Sequence, residues 1–113
     1  MAKTPTSDEV WQTLDQLRRA LNEAYWKISD PHEGDRVLAL AQDLDSIQDD
    51  MDKDEITSNT AAYKNLQARV EGVNDKLDQL KKDIDGIIHS VETVTKITGF
   101  IDQAIQQAAK YFV

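Results

Sequence analysis

Two groups of residues have the types and spacing that could hold a metal ion. Asp50, Asp52 and Asp54 alternate as the first ligands of a helix-loop-helix calcium site do. Such a loop also needs Gly at its sixth position for the sharp turn and a bidentate Glu at its twelfth. Those places hold Glu55 and Ala61, so the triplet reads as the solvated acidic end of a helix. Asp85, His89 and Glu92 are spaced four and three apart, which sets them on one side of a helix. A bundled di-metal centre needs Glu-x-x-His on two helices and further carboxylates. The only other histidine is His32, in a turn, so His89 reads as an exposed helical side chain.

Nucleophilic catalysis has even less to work with. No Cys is present, no Ser or Thr stands in a motif that sets it beside a base, and no Gly-rich segment could cradle a phosphate. The expectation is therefore a protein that is not an enzyme and needs no cofactor or metal. With 21 acidic and 13 basic residues the net charge is −8. That surface repels nucleic-acid phosphates and anionic lipid heads, and so points to protein partners.

The chemistry left to such a chain is recognition. Trp26 falls at an outward position of the first helical stripe, and exposed Trp is a frequent binding anchor. Phe100 poses the same question at another outward position. Asp49, Asp50, Asp52 and Asp54 lie within Asp43–Glu55, a stretch of seven acids and one Lys that suits a basic partner.

These residues are carried by helices. Thr6 and Glu9 have the spacing of a capping box, and Val10, Leu14, Leu17, Leu21, Ala24 and Ile28 follow in steps that keep one helical face apolar. This predicts a helix over about 7–29 after a frayed tail, 1–6. Asp15 with Arg19, and Glu23 with Lys27, are i,i+4 pairs of the favourable orientation. Asp30 caps a second helix, Pro31 opens it and Glu33 sits at its third position, so a tight hairpin leads into a helix over about 31–52. Its stripe is Val37, Leu40, Leu44, Ile47 and Met51. Thr57, Ser58, Asn59 and Thr60 offer caps for a third.

From Tyr63 onward the a and d positions of seven heptads are filled, Thr98 being the one polar member. Ile84, Ile87, Val91, Val94, Ile101, Ile105 and Phe112 are the apolar anchors of the later part. Charge thins there too: residues 84–113 hold only Asp85, Glu92, Lys96, Asp102 and Lys110, and Ile97, Ala104 and Tyr111 widen the stripe. Three glycines interrupt this segment, and Gly99, after β-branched residues, is the preferred place for a kink or turn.

The expected fold is all-α, one helical domain over 1–113. An antiparallel hairpin packs on a long heptad-patterned helix over about 59–97, with a kink near Gly99 and a final helix to about 112. A break near Gly86 is the alternative and gives an up-down four-helix bundle. A straight third helix outruns a hairpin of roughly 33 Å, so an uncovered seam would need a fold-back or a second chain.

The function expected from this is a helical-bundle or coiled-coil interaction module, homo-oligomeric or bound to a partner helix. The first alternative is a small acidic inhibitor, immunity protein or chaperone that masks a basic protein. The second is a peripheral lipid-surface binder through the C-terminal helix, where Asp102 cancels Lys110 on a polar face that membrane contact would want cationic, so membrane contact is not expected. The N-terminus has no apolar leader and no stretch of about eighteen apolar residues exists, so a cytoplasmic setting is expected.

Overall fold

The chain is seen in a computed structural model that describes residues 5–51 and 61–112. Four helices follow one another: α1 Ser7–Tyr25, α2 Pro31–Met51, α3 Ala61–Ile87 and α4 Val91–Tyr111. Each packs on its two neighbours in an antiparallel ring, α1 against α2 and α4, and α3 against α2 and α4. No strand is present among the described residues. The fold is the up-down four-helix bundle.

Local chemistry explains where the helices begin. Thr6 Oγ1 accepts from Glu9 N at 3.1 Å and Glu9 Oε1 accepts from Thr6 N at 3.3 Å, which closes the expected capping box. Asp30 Oδ1 accepts from His32 N at 2.9 Å, while Pro31 fills the first helical position, where a missing N–H costs nothing. The caps expected from Thr57 to Thr60, and the calcium-like spacing at Asp52 and Asp54, lie outside the described residues.

The leading expectation for the C-terminal half is corrected. The long helix does not run to residue 97 and turn at Gly99. It ends at Ile87, three residues form the turn, and α4 passes through Gly99 without interruption. Gly99 is exposed, with open space where a Cβ would stand, so nothing there asks for a bend. The break falls beside Gly86, as the alternative has it. The combination of Gly86, the β-branched pair Ile87–Ile88 and the cap residue Ser90 outweighs the heptad pattern. Ser90 Oγ accepts from Thr93 N at 3.3 Å to start α4. With the chain folded back, the hairpin no longer leaves a long seam uncovered. α1 is also shorter than expected, ending at Tyr25 rather than at residue 29.

One hydrophobic core links all four helices, with Leu17, Leu21, Leu44, Leu77, Leu80 and Ile101 at its centre. α1 comes close to its neighbours through small residues: Ala20 and Ala24 on α1, Gly34 and Ala41 on α2, Ala104 and Ala108 on α4. α3 differs. It buries Leu66, Val70, Val73, Leu77, Leu80 and Ile84, a strict a/d seam with no small residue in it. Large side chains hold it further from α2 and α4, and its contacts are sparser.

Candidate functional site

Both interhelical turns on the C-terminal side of α1 and α3 lie at one end of the bundle. Lys27 Nζ donates to Thr93 Oγ1 at 3.1 Å, and Lys96 Nζ stands 3.7 Å from Glu23 Oε2, so the end of α1 is tied to the start of α4. These contacts replace the expected pairing of Glu23 with Lys27, because both side chains reach across to α4. Glu23, Lys27, Glu92 and Lys96 rim a small cleft of alternating charge between the two helices.

Trp26 sits at this end. The helix closes at Tyr25, Trp26 caps it, and Lys27 N donates back to Ala24 O at 2.9 Å. Its indole is 83% exposed and meets the Tyr25 ring edge-on, with centroids 5.1 Å apart at 77°. Tyr25 in turn lies over Gly34, whose missing side chain leaves room for the ring: a Cβ there would sit 3.4 Å from Tyr25 Cε2. Trp26 is therefore in contact with the Tyr25 ring and otherwise largely open to solvent. Val91, also 83% exposed, begins α4 at the same end.

The other expected anchors are placed differently. Ile84, Ile101 and Phe112 are buried in the chain's own core. Ile87, Val94, Phe100 and Ile105 are half-buried and pack against that core from its edge. Phe100 is thus not an outward aromatic. On α4 the fully buried face is Ile97, Ile101, Ala104 and Ala108, rotated away from Val91 and Ile105 on the expected stripe.

The acidic face is less free than its composition suggests. Asp50 pairs with Arg69, Asp43 Oδ2 lies 3.8 Å from Lys76 Nζ, and Arg36 Nη2 lies 3.1 Å from Asp83 Oδ2. Asp49 and Asp45 remain exposed. These three α2–α3 pairs form a ladder that sequence reasoning missed, although its signal is present. Arg36, Asp43 and Asp50 are seven apart, as are Arg69, Lys76 and Asp83, and the charges match when the two rows run antiparallel. This is the flanking-charge pattern that sets orientation in coiled coils. Hydrogen bonds from Gln79 and Arg36 hold the Asp83 carboxyl below its ordinary value. A surface groove of about 350 Å³ lies against this ladder, with Arg36, Asp43 and Lys76 in its walls.

A second polar network was equally hidden. Gln48 is 3% exposed between α1 and α2, where its amide donates to Trp11 O at 3.2 Å and accepts from Arg18 Nε at 2.9 Å. Arg18 also donates to Asp15 at 2.6 Å, and Arg19 completes the expected pair with Asp15 at 3.0 Å. Trp11 Nε1 is buried with no hydrogen-bond partner among the described residues.

Asp85, His89 and Glu92 do not share a helical face, since α3, the turn and α4 take one each. No cluster of three metal-ligating side chains forms among the described residues, and no helix among them is long and apolar enough to cross a membrane. Comparison with protein-family models, with curated protein sequences and with solved structures finds no match for the chain.

Proposed function

We propose that this chain is a non-enzymatic protein-interaction module that holds its partner through Trp26. The observation that carries the reading is an indole 83% exposed yet braced by Tyr25 on a short, well-capped turn. A rigid aromatic loses little entropy when it enters a pocket, and buried Trp anchors often contribute 2 kcal/mol or more to an interface, as an order of magnitude. Ile84, Ile101 and Phe112 already fill the bundle's own core, so a partner meets the bundle from outside rather than by inserting a helix into it. The partner this surface suits is a protein with an apolar slot of indole width, rimmed by charges that complement Glu23 and Lys27.

The reading in which α2 masks a basic protein draws on Asp45 and Asp49, but two acids of that face already engage Arg69 and Lys76. Lipid-surface binding has little left to use, because the apolar face of α4 is spent on α1 and α3. A reducing cytoplasm suits a chain with no Cys.

The test is affinity capture with the tagged full chain from a native extract of the source organism, read by quantitative mass spectrometry beside Trp26→Ser. The expected result is a small set of proteins whose recovery falls about tenfold or more in the variant, with circular dichroism and urea midpoint unchanged. Equal recovery by both chains, or no specific protein with either, overturns the reading.

A further inference from the structure

The turn between α3 and α4 is only Ile88, His89 and Ser90, with neither Gly nor Pro in it. What favours the bend locally is the Ser90 cap on Thr93 N and the low helix propensity around Gly86. Yet the apolar stripe crosses the turn without losing phase: Leu77, Leu80, Ile84, Ile87, Val91, Val94, Thr98 and Ile101 continue the four-three alternation. The closed bundle does not use that continuity. It leaves Val91 83% exposed and Ile87 and Val94 half-buried, and seats α4 by the rotated face that contains Ile97 and Ala104.

We infer that the chain also assembles as a domain-swapped dimer in which residues 88–90 become helical and α4 docks on α1 and α3 of a second copy. α3 and α4 are then one helix of about 77 Å. Every contact that holds α4 in the bundle is reproduced between chains, including Lys81 with Asp102 and Glu23 with Lys96. The second copy is the occupant the fold itself specifies, because only it carries the same α1–α3 seat. A short connection between two helices that share one continuous seam favours such an exchange.

The antiparallel pairs Lys81–Asp102 and Gln67–Phe112 place the twofold axis at about residues 89–92 of the long helix. Two copies of Val91 then meet across the axis, and Ile87 of each chain faces Val94 of the other. The dimer thus covers the side chains that the monomer leaves open. This inference rests on the fold and the stripe, not on Trp26, and Trp26→Ser is expected to leave it unchanged.

Light scattering on size-exclusion fractions of the full chain, refolded from urea at low and at high protein concentration, tests it. A dimer is expected after concentrated refolding. Ser90→Ala removes the cap and raises its fraction at least about fivefold. Val91→Asp puts two like charges on the axis and suppresses the dimer, while the monomer, where that side chain is exposed, keeps its stability. Lys81→Cys with Asp102→Cys, joined by a short bis-maleimide in a chain with no other Cys, reports the connection. The expected cross-link joins two chains in the dimer fraction and stays within one chain in the monomer fraction. Glu23→Cys with Lys96→Cys repeats the test across the α1–α4 seam. A dimer whose cross-links stay within each chain overturns the inference. So does the absence of any dimer from both the native chain and Ser90→Ala.

Discussion

Asp15 shows how much of this bundle depends on side chains that an apolar pattern does not register. Burial pushes its carboxyl upward, but hydrogen bonds from Arg18 and Gln48 and the charges of Arg19 and Arg18 outweigh this, and the net effect is a value below the ordinary one. A carboxyl whose folded value is depressed stabilises the fold above its unfolded value, about 3.9 for aspartate. That contribution is lost as pH falls through the folded value. Asp15→Asn keeps the shape but removes the charge that pairs with Arg18 and Arg19 beside Gln48. Urea unfolding at pH 7 is expected to show a loss of about 1–3 kcal/mol, the scale of a charged hydrogen-bond network. The difference between the two proteins should shrink as pH falls through the folded value, and a loss that stays constant down the acid range would contradict the assignment. The Asp15–Arg19 pair is legible from its spacing alone. Gln48 is not, because a polar residue beside Leu44 and Ile47 looks like a surface position until Trp11 O and Arg18 are seen to satisfy it.

Helix starts are the most legible elements, and for a physical reason. Thr6 with Glu9, and Asp30 with Pro31, act through the nearest backbone groups, so the chemistry is complete within four residues. Helix ends depend on competition over longer distances. At residues 86–90 a weak helix former, two β-branched residues and a cap act together, whereas Gly99, though it too follows β-branched residues, lies among Ile97, Ile101 and Ala104, whose burial holds α4 together across it. A lone glycine on an exposed face lowers helix stability without breaking the helix. Gly99→Ala is accordingly expected to raise stability by about 0.5–1 kcal/mol, measured by urea unfolding, with no change in helical content beyond a residue or two. If Gly99 formed a turn, the same substitution would destabilise the protein. The α2–α3 ladder belongs to this scale too. Its partners are 19 to 47 positions apart in sequence, and each is an unremarkable surface charge until the two helices are laid antiparallel. Pairs this exposed contribute little each, so their role is to choose the register of a helix that has only large side chains on its seam.

For the molecule as a whole, the deciding quantity is which face of α4 the bundle buries. Heptad counting carries the phase of α3 straight through to Phe112 and so ranks Val91 with Ile84 as a core residue. The closed fold breaks that phase at the turn, and α4 rotates until Ile97, Ile101, Ala104 and Ala108 face inward. The reason lies in what α4 must touch. α3 meets α2 and α4 through its a and d positions, whereas α4 meets α1 and α3 through d and g, where Ile97 and Ala104 join Ile101 and Ala108. The two phases make opposite predictions for one pair of substitutions. Ile97→Ala removes a side chain that is 1% exposed and should cost about 2–5 kcal/mol through lost burial and the cavity left behind. Val91→Ala removes one that is 83% exposed and should change monomer stability by less than about 0.5 kcal/mol. Urea unfolding at low protein concentration, where the monomer dominates, reads both. A large loss at Val91 with a small one at Ile97 would mean that α4 follows the heptad phase in the monomer, and that the bundle is seated on the other face of its last helix.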